Sequence, residues 1–104
     1  MREVPLLAFA AAHRDGAVVV DVREPVEYLG GHVPGATLVP VGEVASRLRE
    51  LPRDTPIYLI CGSGNRSMTT ASFLLRAGYD AYSVSGGTSA WAREGHPIVM
   101  GSRS

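Results

Sequence analysis

The residues whose types and spacing can do chemistry fall at 60–67, Ile-Cys-Gly-Ser-Gly-Asn-Arg-Ser. Cys61, the single cysteine of the chain, ends an apolar run, Ile57-Tyr58-Leu59-Ile60. Gly62 and Gly64 follow, then Arg66, and Ser67 opens a helix-like stretch from Met68 to Ala77. The pattern reads as strand, tight loop and helix, with a thiol at the strand's C-terminal end. Such a loop turns several backbone N–H groups inward, and the helix adds its positive dipole end. The result is an anion cradle with a nucleophile at its floor. Cys61 is therefore the candidate catalytic group. Gly62, Ser63, Gly64, Asn65, Arg66 and Ser67 are the candidate substrate-binding set.

Each of these residues also has a plainer reading. A free cysteine after a buried strand is commonly a small hydrophobe. Two glycines, an arginine and a helix start within a few residues instead predict a lowered thiol pKa and an exposed sulfur. Arg66 is expected to grip a substrate oxyanion; the alternative is a pair with a carboxylate that holds the loop's shape. Ser63 and Ser67 carry hydroxyls that can bond the sulfur or cap the helix, and capping is the expected role of Ser67.

The elements that must position this loop are legible on either side of it. Glu3-Val4 forms a minimal edge strand, and Pro5 starts a helix to about His13 that turns Leu6, Phe9 and Ala10 inward. Ala17 to Val22 is a continuous β-branched run of the kind buried on both faces of a sheet. It leads into Asp21 and Arg23, expected as a structural ion pair. Pro25 to Tyr28 is a short helix stopped by Gly30-Gly31, and His32 sits in a turn that it stabilises. Ala36 to Val39 is a strand, Gly42 to Leu51 a helix, and Pro56 to Ile60 a second buried strand. The helix after the cysteine loop turns Met68, Ala71 and Leu75 to one face and ends at Gly78. Ala81 to Val84 is the final strand, and Thr88 or Ser89 caps a last helix that carries Trp91 and stops at Gly95. Alternating strands and helices predict an α/β fold with a mainly parallel sheet. In such sheets ligands bind beyond the strands' carboxyl ends, where Cys61 lies.

Composition bounds the function. At 104 residues the chain is read as one domain over 1–100 with a loose tail at 101–104. The formal net charge is zero, so no global field draws in nucleic acid or an anionic membrane. One cysteine forbids an intrachain disulfide and points to a reducing, cytoplasmic setting. Three scattered histidines give no zinc spacing, so neither metal nor cofactor is expected. Val4 to Ala12 superficially resembles a signal peptide, but Glu3 and Pro5 fit an amphipathic first helix better. All ten basic residues are arginine, which correlates with a GC-rich bacterial origin.

Three motifs, in order, resemble those of single-domain rhodaneses. Asp21-Val22-Arg23-Glu24-Pro25 with Glu27-Tyr28 and Gly31-His32-Val33-Pro34-Gly35-Ala36 is similar to the family's first signature. Cys61 to Ser67 looks like its active-site loop, and Gly86-Gly87, Trp91 and Gly95-His96-Pro97-Ile98 resemble its C-terminal signature. Gly62 departs from the pattern, since many active members carry a basic or larger polar residue there. The resemblance covers residues 3–99. It implies a five-stranded parallel sheet flanked by helices on both faces. It also implies sulfur transfer from thiosulfate or a related small sulfur anion, through a Cys61 persulfide, to cyanide or a thiol acceptor, which can be a protein thiol. The alternatives are a non-catalytic docking or regulatory module, and a cysteine-dependent phosphatase or arsenate reductase. The phosphatases that share this loop type place five residues between cysteine and arginine. Here there are four.

Overall fold

The computed structural model describes residues 2–104. The elements run β1 (Glu3–Val4), α1 (Leu6–Arg14), β2 (Val18–Asp21), α2 (Pro25–Leu29), β3 (Thr37–Leu38), β4 (Ile57–Ile60), α3 (Asn65–Arg76), β5 (Ala81–Val84) and α4 (Gly87–Arg93). The five strands form one sheet in the order β1-β5-β4-β2-β3, and every pairing is parallel. The strongly β-branched β2 and the apolar β4 occupy the centre, as burial on both faces requires. Among the described residues no helix is long and apolar enough to cross a membrane.

Side chains alternate across a strand, and the two faces bury different partners. Val20, Val22, Ile57, Leu59, Cys61 and Ala81 point toward Ala71 and Leu74 of α3. Val19, Ile60 and Val84 point the other way, onto Phe9 and Ala10 of α1, Tyr28 of α2 and Trp91 of α4. Helices therefore cover both faces. Phe9 is wholly buried against Tyr58 and Trp91, a burial that contributes roughly 1.5–3 kcal/mol.

Four local expectations change. Gly42 to Leu51 is not an α-helix but two 3-10 segments, Val41–Glu43 and Ala45–Glu50, with Arg47 off helical geometry at φ −114° and ψ 20°. The Ser46 hydroxyl donates back to the Glu43 carbonyl, and the Arg47 guanidinium ties Glu43, Glu50 and the Leu38 carbonyl together. The Ser46 hydroxyl competes with the regular helical ladder for the Glu43 carbonyl, and the segment runs in short i→i+3 turns. The inward face of α3 is Ser67, Thr70, Ala71 and Leu74, with Met68 and Leu75 only half-buried. Ser67 takes an inward place because the helix's first turn packs against the polar cysteine loop, and Thr70 is accommodated by donating to the Arg66 carbonyl one turn back. At α4 neither Thr88 nor Ser89 is the cap. Gly86, at φ +76°, precedes the first turn, and Thr88 lies inside the helix. Residues 101–104, expected as a loose tail, make backbone contacts to the body. The Gly101 N–H donates to the Leu29 carbonyl at 2.8 Å, and the Arg103 carbonyl faces His32 Nε2.

Candidate active site

β2 and β4 are neighbours, yet their chains leave in opposite directions, β2 toward β3 at one edge and β4 toward β5 on the other side. That divergence opens a crevice at the carboxyl ends of the two strands. Cys61 is the residue immediately after β4, and Asp21 is the last residue of β2.

Cys61 is only 1% exposed, so the expected open thiol is not found. What surrounds it is polar. The Gly64 N–H donates to the sulfur at 3.0 Å, and the Ser67 Oγ lies 3.4 Å away. Gly64 takes φ +110° as the residue before α3, a conformation that aims its N–H back into the loop and suits only glycine comfortably. Burial pushes the thiol's pKa up. The Ser67 hydroxyl and the N–H groups of Ser67, Gly64 and Ser63 outweigh that, leaving the pKa below the ordinary thiol value. Ser67 is thus a sulfur ligand rather than a helix cap: it sits in the first turn of α3, and its Oγ also reaches the Gly64 carbonyl at 3.2 Å and the Ser83 Oγ at 2.7 Å.

The loop's carbonyls are held from outside. The Thr88 N–H donates to the Cys61 carbonyl at 2.8 Å and the Ser89 N–H to the Gly62 carbonyl at 3.0 Å. Two of the orphan N–H groups at the start of α4 are thereby satisfied, and these loop carbonyls are turned away from the sulfur. This contact is possible because Gly86-Gly87 lies hard against the loop. A Cβ on Gly87 would stand 2.3 Å from the Cys61 carbonyl oxygen. A surface hollow of about 500 Å³ beside Arg49, Arg53 and Tyr79 shares no residue with the cradle. The chemistry of the cysteine loop places the candidate site at Cys61 and not in that hollow.

Arg66 forms a bidentate pair with Glu27 of α2, at 2.7 and 2.9 Å. The structure thus gives it the carboxylate partner that was the alternative reading. The guanidinium, half exposed, stands at the mouth of the loop, and Gly62 leaves it room: a Cβ there would lie 3.3 Å from Arg66 Nη2. Arg66 and the Glu24 N–H together hold the Glu27 carboxyl down to about 2. Ser63 and Asn65 are exposed at the loop's rim.

Asp21, Arg23 and His32 do not touch the sulfur. Asp21 accepts from the Arg23 backbone N–H at 3.0 Å and from its Nη2 at 2.8 Å, and Arg23 donates onward to the Gly31 carbonyl. His32 stacks on Tyr28 with ring centroids 3.6 Å apart, and its Nδ1 donates to the Tyr28 carbonyl. These contacts fix α2, and so Glu27, beside the loop. Glu27, the α4 N–H groups and Ser83 are the contributors that motif-spacing arguments alone pass over. Ser83 carries one faint signal, a hydroxyl in an otherwise buried strand.

A family model for the rhodanese-like domain matches residues 8–94. The fold superposes on a rhodanese-related protein from Thermoplasma volcanium with a TM-score of 0.90 and 31% identity, covering 96% of this chain and 99% of that one. It superposes on a rhodanese-like domain protein from Staphylococcus aureus with a TM-score of 0.88 and 28% identity, covering 98% and 100%. A third match, at TM-score 0.79 and 33% identity, is to the reduced CoADR-RHD of Bacillus anthracis; it takes in 84% of this chain but 16% of that one. With the match spanning the sheet, the cysteine loop and the start of α4, the chain belongs to the rhodanese-like domain family.

Proposed function

We propose that the chain is a sulfurtransferase in which Cys61 carries a sulfane sulfur between two small substrates. The observation that supports this most is the cradle itself. The one thiol of the chain accepts a backbone N–H at 3.0 Å and lies beside a serine hydroxyl, with its pKa held below the ordinary value. That environment favours a thiolate, and equally a persulfide anion in its place.

In the first step the thiolate attacks the outer sulfur of thiosulfate. A sulfur–sulfur bond forms to Cys61, the bond to the sulfonate sulfur breaks, and sulfite leaves with the electron pair. In the second step cyanide or a thiolate acceptor attacks the terminal sulfur and restores the Cys61 thiolate, giving ping-pong kinetics. No cofactor is needed, since the carried atom is bound covalently. Arg66 is the cation nearest the mouth and would meet the donor's sulfonate. Its Glu27 partner holds the planar fork in place. A phosphoryl group is a poorer fit. Its three equatorial oxygens each want a donor at the cysteine itself, whereas the four-residue spacing gives a small ring. A single free thiol suits a reducing compartment, so we place the protein in the cytoplasm.

A second reading, a non-catalytic docking module, draws on the near-complete burial of the sulfur and the engagement of Arg66 by Glu27. One experiment separates the two. Intact mass is measured after thiosulfate treatment of the wild type and Cys61→Ser. Gain of one sulfur atom by the wild type alone, reversed by cyanide with release of thiocyanate, is the expected result. No gain in a folded wild type would overturn the sulfurtransferase reading.

A further inference from the structure

We propose that Ser83 is a positioning residue for Cys61, acting through Ser67 as a two-hydroxyl relay from the sheet to the sulfur. Ser83 lies on β5 with Leu59 as its register partner on β4, and both face α3, as does Cys61, two residues after Leu59 and just past the end of β4. It is wholly buried. A hydroxyl in that position is costly unless it is bonded. Among the described residues its Oγ has one hydrogen-bond partner, Ser67 Oγ at 2.7 Å. Ser67, also wholly buried, has in addition the Cys61 sulfur at 3.4 Å and the Gly64 carbonyl at 3.2 Å.

A proton inventory gives the pair its direction. Each serine has one proton to donate. If Ser67 gave its proton to Ser83, the Ser83 proton would have no acceptor in the interior. Donation from Ser83 to Ser67 satisfies both and leaves the Ser67 proton for either the Gly64 carbonyl or the sulfur. When Cys61 is a thiol it can itself donate to Ser67, whose proton then goes to the Gly64 carbonyl. When Cys61 is an anion the Ser67 proton turns to it, because a bond to a charged acceptor is the stronger one. Ser83 favours this arrangement by occupying a lone pair of Ser67 and polarising its O–H, as linked hydrogen bonds do.

The charged groups near the loop come in pairs, Arg66 with Glu27 and Arg23 with Asp21. Arg66 acts on Cys61 through its charge, and neither pair contacts the hydroxyl relay. The inference rests on Cys61 being the nucleophile proposed above. Its test reads the thiolate directly, so it stays valid whichever electrophile the thiolate attacks.

The test is the pH dependence of Cys61 alkylation by iodoacetamide, a neutral reagent, in the wild type, Ser83→Ala, Ser83→Thr, Ser67→Ala and the Ser67→Ala/Ser83→Ala double variant. Circular dichroism and urea unfolding check that each is folded. Ser83→Ala is expected to raise the midpoint by about half a unit, a roughly threefold loss of thiolate at pH below both midpoints. Ser83→Thr keeps the hydroxyl and is expected to retain most of the wild-type value. In the Ser67→Ala background, removing the Ser83 hydroxyl is expected to change nothing further, because the link to the sulfur is already gone. An unchanged midpoint in folded Ser83→Ala would overturn the relay, as would an equal shift in the Ser67→Ala background. Should Ser83→Ala not fold, Ser83→Thr with a midpoint as high as that of Ser67→Ala would overturn it too.

Discussion

Gly87→Ala is a sharp probe of how the cradle is held open, because the position combines a left-handed backbone with a clash against the backbone of the cysteine loop itself. Gly87 has φ +59°, where an L-residue costs about 1–2 kcal/mol. Its missing side chain is also where the cysteine loop sits: an added Cβ would meet the Cys61 carbonyl oxygen at 2.3 Å, the Gly62 carbonyl oxygen at 2.7 Å and the Gly62 carbonyl carbon at 2.8 Å. None of these atoms is the free end of a flexible side chain, so the start of α4 must move off the loop. That movement breaks the Thr88 and Ser89 N–H bonds to the Cys61 and Gly62 carbonyls, at about 1 kcal/mol each. The expected loss is about 3–4 kcal/mol of stability.

Gly95 supplies the control. It too has a left-handed φ, +84°, but an added Cβ there meets nothing within 4 Å. Gly95→Ala should therefore show the backbone penalty alone, about 1–2 kcal/mol. The assay is urea unfolding of both variants, with the Cys61 alkylation midpoint followed in parallel. Gly87→Ala should also raise that midpoint, since loop carbonyls released from α4 are free to rotate toward the sulfur. If Gly87→Ala cost no more than Gly95→Ala and left the midpoint alone, the idea that α4 shapes the loop by holding its carbonyls would fail.

Three further outcomes are expected. Asp21→Ala should destabilise by about 3–5 kcal/mol in urea unfolding, because it strands the buried Arg23 guanidinium without its carboxylate; a loss under about 1 kcal/mol would mean that Arg23 finds water instead. Glu27→Gln should cost less than about 1 kcal/mol at pH 7, since the Glu27–Arg66 pair is partly exposed. The Glu27 carboxyl is held down to about 2, so this contribution is complete above the unfolded carboxyl's ordinary range and fades as pH falls from about 4.5 toward 2. A difference between wild type and variant that grew on acidification would contradict the pairing. Arg66→Ala should slow sulfur loading from thiosulfate at least tenfold more than loading from an uncharged persulfide donor, in keeping with the loss of a bidentate anion ligand; equal losses would confine Arg66 to its bond with Glu27.

The fold was legible because its signals are local. The β-branched run at 17–22 and the apolar run at 57–60 can be buried on both faces only in the middle of a parallel sheet, and they occupy the centre as β2 and β4. Glycines after helices, such as Gly78 at φ +95°, stop them where expected. The reading failed where side chains bond to the backbone across a few residues. Val44, Leu48 and Leu51 keep helical spacing, yet Ser46 bonds back to the Glu43 carbonyl, Arg47 leaves helical geometry, and the segment runs as short 3-10 pieces. Apolar periodicity records which residues seek the core and is silent on hydrogen bonds that a side chain takes from the ladder.

The site divides along the same line. Cys61, Gly64 and Ser67 were findable because the loop that carries them is contiguous, but their mutual geometry was not. Ser67 reads as a cap from its position before a helix. It faces the sulfur because α3 starts at Asn65, after the positive φ of Gly64, three residues earlier than the apolar stripe suggests. Glu27, Ser83 and the α4 N–H groups come from elements some 20 to 40 residues away in the chain, and no spacing rule links them to a cysteine. Topology brings them in. The direction in which successive strands are laid down across the parallel sheet reverses between β2 and β4, so α2 arrives at the loop from one side, and β5 with α4 arrives from the other. A short loop with one thiol therefore depends on three distant segments for its electrostatics: a carboxylate that orients its arginine, a strand hydroxyl that bonds its serine, and a helix start that holds its carbonyls outward. A variant of such a chain can keep every loop residue and still lose a reactive thiol through a change at Glu27, Ser83 or Gly87, and only the relay test and the Gly87 comparison distinguish those losses from simple unfolding.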